Sequence, residues 1–272
     1  MSSFLELLQI YNWSLPSSIL MSMTLSLIGA QWISRERSSQ IFVLGQGTSL
    51  GIVLGLVLNI LFQTDLHFLN LILGFILGGV TLLLSDRLIQ RKADRNHIYL
   101  TLFIFFLALT YLLTALTPSL ETHMASAYFG DLAVMSNDGA KMSLVGALMF
   151  TVLMLSRWRK LTLTSFQVMN QSLVHRSSFN RVFDIGTLVI TTLAIQNMGY
   201  LFSIGCLFIP TSFAASKSRN LKDYTIRILL ISSLGTMAGF TLSLFSTELP
   251  TVPCILLGQI FIGILNLGIR SK

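Results

Sequence analysis

The sequence predicts an all-α integral membrane protein of about nine transmembrane helices, with its N-terminus outside and its C-terminus in the cytoplasm. Of its 272 residues, 53% are hydrophobic and only 11% are charged, whereas a soluble domain carries about 25% charged residues. The apolar residues form runs long enough to cross a bilayer rather than narrow helical stripes. The basic residues collect in alternate loops between these runs. These three observations together predict helices that are surrounded by lipid.

Nine apolar runs are predicted to span the membrane, since each span needs about 20 apolar residues. They lie near residues 15–33, 41–62, 68–85, 98–117, 141–157, 184–197, 199–215, 224–246 and 252–269. The sixth and seventh runs are short and are separated only by Gln196, Asn197 and Met198. This spacing predicts either a tight helical hairpin or one interrupted helix that breaks at membrane depth, where freed backbone groups need a polar cavity. No linker or charged block divides the chain, so residues 1–272 are predicted to form one transmembrane domain.

The orientation follows from the positions of the basic residues. Segments 34–40, 86–97, 157–183, 216–223 and the C-terminal tail carry sixteen of the 18 Lys and Arg residues, and all five segments fall on one side of the predicted membrane. The opposite side carries mainly acidic residues, which are Glu6, Asp65, Glu121, Asp131, Asp138 and Glu248. Because loops rich in Lys and Arg stay in the cytoplasm, this asymmetry places the C-terminus inside.

Several function classes are excluded by the same composition. The net charge of +7 does not indicate nucleic-acid binding, because the basic residues lie in short loops between apolar runs. The chain contains no P-loop, so we expect no ATP hydrolysis and no catalytic residues in this chain. The four histidines form no local metal-binding motif, which leaves the metal ligands unknown. The two cysteines, Cys206 and Cys254, lie in apolar segments and are expected to behave as small buried hydrophobes.

Polar residues interrupt the second predicted span. Gln46 stands between two glycines and is followed by Thr48 and Ser49. Small residues let another helix approach closely, and the amide and hydroxyl groups can bond across that contact. The same side chains could instead face a polar path. Both interpretations remain open at this stage.

Two loops carry further candidate sites. The outer loop 118–140 could form a short amphipathic helix near 122–135, but Glu121 and His123 are two residues apart and do not face each other on a helix. A solvated outer face is therefore the favoured interpretation of this loop. In the inner segment 161–183, Ser165 is predicted to cap a short helix that carries Phe166, Met169 and Leu173 on one face. Such a helix suggests a surface for a protein partner, and the alternative is a helix that lies on lipid headgroups.

Several short motifs, in order along the chain, resemble one family, the membrane subunits of bacterial ABC importers for transition metals. After the basic pair Arg35 and Arg37, the second span ends with LGIVLG at 50–55, similar to the family's PGVVLG. The outer loop has YFGDL at 128–132, similar to YLFGNLL, and the inner segment has TSFQ at 164–167, which resembles LSFDPELA, where these permeases meet their ATPase. The strongest match is MGYLFSIGCLFIPTSFAA at 198–215, similar to VGLLLVVALLVIPAATA. LPTVP at 249–253 opens the last span as LPTGPTIVL does in the family.

This resemblance implies a single permease domain of the type II-like ABC importer fold in the bacterial inner (plasma) membrane. The implied partners are a second permease (a homodimer or a paralogue), a cytoplasmic ABC ATPase that uses ATP and Mg, and an extracytoplasmic substrate-binding protein, while this chain itself binds no cofactor. The substrate path is then predicted to involve Gln46, Thr48, Ser49, Asn197 and Cys206. The binding protein is predicted to contact Glu121, His123 and Asp131. The ATPase-coupling residues are predicted to be Ser165, Phe166, Gln167, Met169 and Asn170.

The chain also departs from the family pattern. In the family's GDAISHAVLPG the Asp, His and Pro align with Phe42, Gln46 and Leu50. Amide and hydroxyl oxygens bind zinc poorly compared with nitrogen and sulfur ligands. Either the ligands come from elsewhere, or the cargo differs, for example a chelated metal. The cargo could be zinc, manganese or iron.

Two other classes of membrane protein compete with an importer. A secondary, ion-coupled transporter needs an ionisable residue in the middle of a span, whereas Asp184 and Arg227 lie near the predicted inner interface and the span centres carry only Gln, Asn, Ser and Thr. A degenerate, non-conducting membrane scaffold is the third possibility, because the acid and the histidine are replaced.

Overall fold

The computed structural model describes residues 11–63, 66–88, 95–117, 128, 130, 132, 135–169, 178–245 and 249–268. The described residues form ten α-helices: α1 Ser14–Ser34, α2 Ser38–Phe62, α3 His67–Leu88, α4 Arg95–Ala115, α5 Asn137–Ser156, α6 Trp158–Met169, α7 Ser178–Met198, α8 Tyr200–Ala215, α9 Leu221–Leu244 and α10 Thr251–Gly268. A helix coincides with each of the nine predicted spans, and α6 is an additional short helix.

Six of the helices in the described ranges are long and apolar enough to cross a membrane, namely α2, α3, α4, α5, α9 and α10. The apolar helix α8 is shorter, with 16 residues. Helices α1 and α7 coincide with predicted spans but contain more polar residues. The number of nine spans therefore stays a prediction, whereas the all-helical architecture is confirmed.

Helix α1 lies at the centre of the bundle and packs against α8, α9 and α5. Its apolar side chains Met21, Leu25 and Ile28 are fully buried. Its hydroxyl groups are also buried, and many donate hydrogen bonds to carbonyls of the preceding turn, as Ser26 does to Ser22 at 2.7 Å. Local bonding of this kind satisfies a buried hydroxyl without a partner helix. A serine-rich helix can therefore occupy the core.

Helices α2 and α3 form the most extensive contact in the bundle, and they run antiparallel. The glycines of α2 allow this close approach. A Cβ atom at Gly51 would lie 2.3 Å from the carbonyl oxygen of Leu73, which is too close for any side chain. Gly47, Gly51 and Gly55 therefore face α3, whereas Gly45 faces Tyr200 of α8.

The predicted break between the sixth and seventh spans is present. Helix α7 ends at Met198, and α8 begins at Tyr200. The single connecting residue, Gly199, has φ +91°, a conformation that glycine adopts without steric cost. Phe42 meets Phe208 near one end and Gly45 meets Tyr200 further along, so α8 runs antiparallel to α2. Helix α7, by contrast, runs parallel to α2. The two helices thus form the hairpin rather than one interrupted helix.

Two boundaries in the inner segment differ from the sequence-based expectation. Helix α6 begins at Trp158, directly after Arg157, so Ser165 lies two turns inside the helix and cannot be its N-cap. The buried face of α6 is formed by Leu161 and Ser165. Leu161 precedes the start of the predicted helix, so the buried face begins one turn earlier than predicted. Helix α7 begins at Ser178 rather than near 184. The proposed position of Leu173 lies outside the described residues.

The helix ends lie at the two ends of the bundle as the alternation of basic and acidic loops predicts. Arg37, in the turn between α1 and α2, contacts Asp86 at the end of α3 and Asp184 near the start of α7. At the opposite end of the bundle, Asn197 at the end of α7 donates to Ser143 near the start of α5. Segments predicted to be cytoplasmic therefore meet at one end. Which membrane side this end faces stays a prediction.

Candidate functional site

The polar residues in the middle of α2, Gln46, Thr48 and Ser49, are fully buried inside the bundle. The Nε2 group of Gln46 donates to the hydroxyl of Tyr128 and, at 3.5 Å, to Thr110 of α4. Within the described ranges, the Gln46 Oε1, Thr48 Oγ1 and Ser49 Oγ atoms have no hydrogen-bond partner. Burying an oxygen without a partner is costly. This face of α2 therefore differs from the locally satisfied hydroxyls of α1.

The start of α8 meets this polar face. The rings of Tyr200 and Tyr128 lie 5.7 Å apart, and a Cβ atom at Gly45 would lie 2.8 Å from the Tyr200 ring. The hydroxyl of Tyr200 is buried and has no partner among the described residues. We call Gln46, Ser49, Tyr128 and Tyr200 the α2–α8 polar cluster. It lies at the tip of the α7–α8 hairpin, next to the single connecting residue Gly199.

An aromatic contact lies beside this cluster, one helical turn toward the Arg37 end of α2. Phe42 stacks on Phe208 of α8 with a ring-centroid distance of 4.7 Å and an interplanar angle of 12°. It also meets the edge of Phe103 of α4 at 6.5 Å. The position that aligns with the family's acid thus joins three helices through aromatic rings.

The structure places three further predicted path residues elsewhere. Thr48 faces α3, since a Cβ atom at Gly78 would lie 2.4 Å from its Oγ1 atom. Asn197 donates to Ser143 at 2.9 Å and so faces α5. Cys206 is fully buried, and its Sγ atom accepts from Nε2 of Gln259 at 3.3 Å. Gln259 also contacts Ser22 and Thr236, so Cys206 belongs to a second polar cluster between α1, α8, α9 and α10. The predicted path residues therefore divide among four places.

Tyr128, Tyr200 and Gln259 were not selected by sequence reasoning as site residues. Tyr128 lies 82 residues from Gln46, and Gln259 lies 53 residues from Cys206. One signal was available for Tyr200, which directly follows the glycine that breaks the hairpin.

The predicted coupling residues lie on two sides of α6. Ser165 is buried, and its hydroxyl accepts from Nε of Arg35 at 2.9 Å and donates to Oε1 of Gln31 at 2.7 Å. Phe166 is 59% exposed, and Gln167 is also exposed. Ser165 therefore anchors α6 to α1, whereas Phe166 is available to a partner. The side chain of Met169 and the whole of Asn170 lie outside the described residues, as do Glu121, His123 and Asp131.

The charged groups at this end are paired across helices. Arg37 donates to Asp86 at 3.0 Å and to Asp184 at 3.2 Å. Burial lowers the pKa of the Arg35 guanidinium to about 10, so Arg35 remains a cation at neutral pH. Burial also opposes the charge on Arg37, but the nearby Asp184 and Asp86 carboxylates raise the pKa of Arg37 above its usual value. Arg37 is thus held as a cation between the two carboxylates.

No three side chains of the His, Cys, Asp or Glu types come together to hold a metal ion in the part of the chain that the structure describes. The donor atoms that do come together in the α2–α8 polar cluster are amide and hydroxyl groups. Such groups suit hydrogen bonding and hard cations better than zinc.

The fold and these sites define a polytopic helical membrane protein in which the α7–α8 hairpin meets a buried polar cluster. The chain belongs to the ABC 3 transport family, whose sequence model matches residues 8–269. It is therefore a membrane permease subunit of the inner membrane and not an enzyme, since ATP hydrolysis belongs to a separate subunit. The family predicted from the sequence motifs is confirmed.

The chain is similar over most of its length to a zinc uptake protein and to two solved transporter structures. The chain is 29% identical over 251 residues to the high-affinity zinc uptake system membrane protein ZnuB of Buchnera aphidicola subsp. Schizaphis graminum, covering 89% of this chain and 90% of the relative. The fold resembles PsaBC from Streptococcus pneumoniae, solved in complex with Fab, with a TM-score of 0.79 and 16% identity over 100% of this chain and 96% of that one. It also resembles an inward-facing transporter assigned to the metal-chelate type, with a TM-score of 0.71 and 17% identity over 96% of this chain and 88% of that one.

Proposed function

We propose that this chain forms half of the membrane pathway of an ATP-driven importer that brings a divalent transition metal, or a chelate of that metal, into the bacterial cytoplasm. Two copies, or one copy and a paralogue, would assemble with two ATPases and an extracytoplasmic binding protein. Nine spans with the C-terminus inside would place the Arg37 network and α6 at the cytoplasmic face. Family membership and the zinc uptake system of the ZnuB relative support this proposal.

The observation that carries the proposal is the α2–α8 polar cluster. A helix contact alone would not need an amide, a serine hydroxyl and a tyrosine hydroxyl whose oxygens stay unpartnered among the described residues. A path for a polar cargo needs such groups, because the cargo must exchange its water for protein oxygens. The cluster also lies at the tip of the α7–α8 hairpin, where Gly199 interrupts the helical backbone.

The neutral donor set favours a cargo that brings its own ligands. Phe42 stands where the family carries an acid, and it stacks on Phe208. A metal held in a chelate presents an organic surface, which aromatic rings and amide or hydroxyl groups can contact. The solved transporter assigned to the metal-chelate type offers a similar fold for such a cargo. Free zinc or manganese, with ligands supplied by another chain, is the second candidate, favoured by the ZnuB relative.

The test is uptake into proteoliposomes that contain the permease, its ATPase and its binding protein. We expect uptake only with ATP inside the vesicles, on the side of the ATPase. Free zinc, free manganese and zinc citrate distinguish the cargo classes. Uptake driven by a proton or sodium gradient without ATP would overturn the importer in favour of a secondary transporter. ATP hydrolysis without uptake of any of the three probes would indicate a non-conducting scaffold.

A further inference from the structure

The corner between α5 and α6 carries an open basic cavity that the transport pathway does not use. A single residue, Arg157, connects the two helices. The cavity has a volume of about 490 Å³ and is lined by Ser156, Arg157, Arg159, Lys160 and Leu163. All the charged residues in the described part of this lining are basic. The cavity is therefore suited to an anionic group.

An apolar groove adjoins this cavity and shares Arg157 with it. The groove has a volume of about 200 Å³, and its apolar lining comes from α5, α6 and α7: Phe150, Leu153, Met154, Leu161, Val182 and Phe183. Leu153 is 56% exposed and Val182 is 66% exposed. Leu153 also belongs to the exposed apolar face of α5, together with Met149 and Val152. The groove therefore opens toward the face that a membrane-spanning α5 presents to lipid.

We propose that this α5–α6 corner binds one anionic phospholipid, with its phosphate in the basic cavity and one acyl chain along the apolar groove. Arg can hold phosphate oxygens through two parallel hydrogen bonds, and Lys adds a point charge. Basic residues at the end of a membrane helix attract anionic lipids of the cytoplasmic leaflet. The inference rests on the proposed function only in placing this end of the bundle at that leaflet.

A lipid fits both halves of the site better than the other possible occupants. A free phosphate would fill the cavity but leave the groove uncovered. The ATPase is expected at the exposed Phe166 of α6, whereas the groove lies beside the lipid-facing Leu153 of α5. An amphiphile with an anionic head and an apolar tail matches the basic cavity and the apolar groove at once.

The lipid site is connected to α6 through the inner wall of the groove. The ring of Phe183 lines the groove, and the guanidinium of Arg35 lies 4.9 Å from the centre of that ring. Arg35 in turn donates to Ser165 of α6. A bound acyl chain would pack against Phe183 from the groove side. Lipid binding should therefore raise the melting temperature of the protein.

The experiment uses the purified full chain, without the ATPase, in nanodiscs of phosphatidylcholine with and without phosphatidylglycerol. Retained phosphatidylglycerol is counted by native mass spectrometry, and the melting temperature is measured in parallel. The corner variant combines Arg157→Gln, Arg159→Gln and Lys160→Gln. The matched control combines Lys217→Gln, Arg219→Gln and Lys222→Gln, which removes the same charge from another loop at the same end. We expect the corner variant to retain at least about tenfold less phosphatidylglycerol, and the control to stay within about twofold of the wild type.

A second variant tests the groove without removing charge. Val182→Trp places a large side chain in the groove, from an exposed position that does not threaten folding. It should lower phosphatidylglycerol retention and remove the rise in melting temperature, even if the corner variant does not fold. Three results would overturn the proposal: equal losses in the corner variant and its control, equal retention of phosphatidylcholine, or displacement of the lipid by inorganic phosphate. Displacement by the ATPase subunit would also overturn it, by showing a protein-docking surface. Because no transport is measured, these outcomes do not depend on whether the chain imports a metal.

Discussion

The guanidinium of Arg35 donates its Nε–H to the hydroxyl of Ser165 at 2.9 Å, and this buried bond joins the turn between α1 and α2 to α6. The same hydroxyl donates to Gln31 of α1. Arg37, two residues after Arg35, binds the ends of α3 and α7 through Asp86 and Asp184. Displacement of α6 would therefore be passed to four other helices by directional bonds. In the proposed importer, this network would carry ATPase motion to the pathway.

Ser165→Ala should weaken the attachment of α6 without removing its exposed face. Arg35 would lose an acceptor in a place where its cation cannot reach water, and a hydrogen bond to a charged group contributes about 2 kcal/mol. We expect a lower melting temperature in detergent and ATP hydrolysis that no longer drives uptake at the normal ratio. Ser216→Ala is the matched control, because its exposed hydroxyl donates only to a carbonyl of its own helix. Equal melting temperatures for both variants would contradict the anchoring role.

Arg37→Gln should destabilise the protein more than loss of a surface ion pair would. Two carboxylates, Asp86 and Asp184, would face each other without the cation between them. Removing one partner of a buried pair costs about 3–5 kcal/mol, and we expect about 2 kcal/mol here because the side chains of all three residues remain about a quarter exposed. Chemical unfolding in detergent measures the change.

A second substitution checks that uncompensated charge causes the loss. Adding Asp184→Asn to Arg37→Gln removes one of the two unpaired carboxylates, so the double variant should recover part of the lost stability. Asp184→Asn alone should be destabilising. If the two losses simply add, the charge network is not the cause.

The helices could be predicted from the sequence because lipid demands long apolar runs, and nine of the ten described α-helices coincide with those runs. The break at Gly199 was also accessible, since two short runs meet there. The N-cap prediction for Ser165 is wrong because α6 already begins at Trp158. The burial of Ser165 depends on Gln31 of α1 and on Arg35 in the turn after α1. Amphipathic spacing shows only that a helix has two faces. It cannot show that a polar residue lies on the buried one.

The candidate site was only partly accessible for a related reason. Gln46 was noticed because an amide between glycines is unusual in an apolar run. Its partner Tyr128 comes from a different segment, and a single sequence carries no signal for a contact across 82 positions. Cys206 was grouped with the path because it follows the hairpin break, but its side chain faces Gln259 instead. Distance along a helix does not reveal which face a side chain occupies.

The membrane orientation is tested by labelling introduced cysteines in intact cells. Asn96 and Asn137 are exposed at the starts of α4 and α5, on opposite ends of the bundle. Asn137→Cys should react with an impermeant thiol reagent, and Asn96→Cys should react only after permeabilisation. Native background should be low, because Cys206 and Cys254 are buried. Labelling at position 96 but not at position 137 would reverse the orientation.

Phe166→Asp should abolish co-purification of the ATPase while leaving the permease folded. The side chain is 59% exposed, so the substitution costs the isolated chain little. A carboxylate in a buried protein contact costs several kcal/mol unless it is paired. Phe166→Leu is the control, since it keeps an apolar side chain on the same surface of α6. Wild-type yields of ATPase with the Asp variant would show that this face does not form the contact.

Gln46→Leu distinguishes a pathway residue from a residue of a helix contact. Gln46 donates to Tyr128 and Thr110, and its Oε1 atom has no partner among the described residues. If the α2–α8 polar cluster lines the path, the cargo loses an oxygen ligand, and uptake should fall roughly tenfold, which corresponds to about 1.4 kcal/mol. If the amide serves only the helix contact, stability should fall instead. The measurements are radiolabelled uptake and membrane abundance.

Two further variants make the Gln46 prediction specific. Thr110→Val removes only the longer of the two hydrogen bonds and should leave uptake within about twofold of the wild type, since a weak bond of this length contributes little.

Phe42→Asp combined with Gln46→His places a carboxylate and an imidazole at i and i+4 on one face of α2. It removes the stacking on Phe208, which contributes about 1 kcal/mol, but supplies ligands that zinc prefers. In an importer of free metal, the double variant should keep or raise zinc uptake relative to Gln46→Leu. In an importer of chelates it should lower uptake of zinc citrate, because the neutral contacts are lost. Normal uptake by Gln46→Leu at normal abundance would remove Gln46 from the pathway whichever cargo is carried.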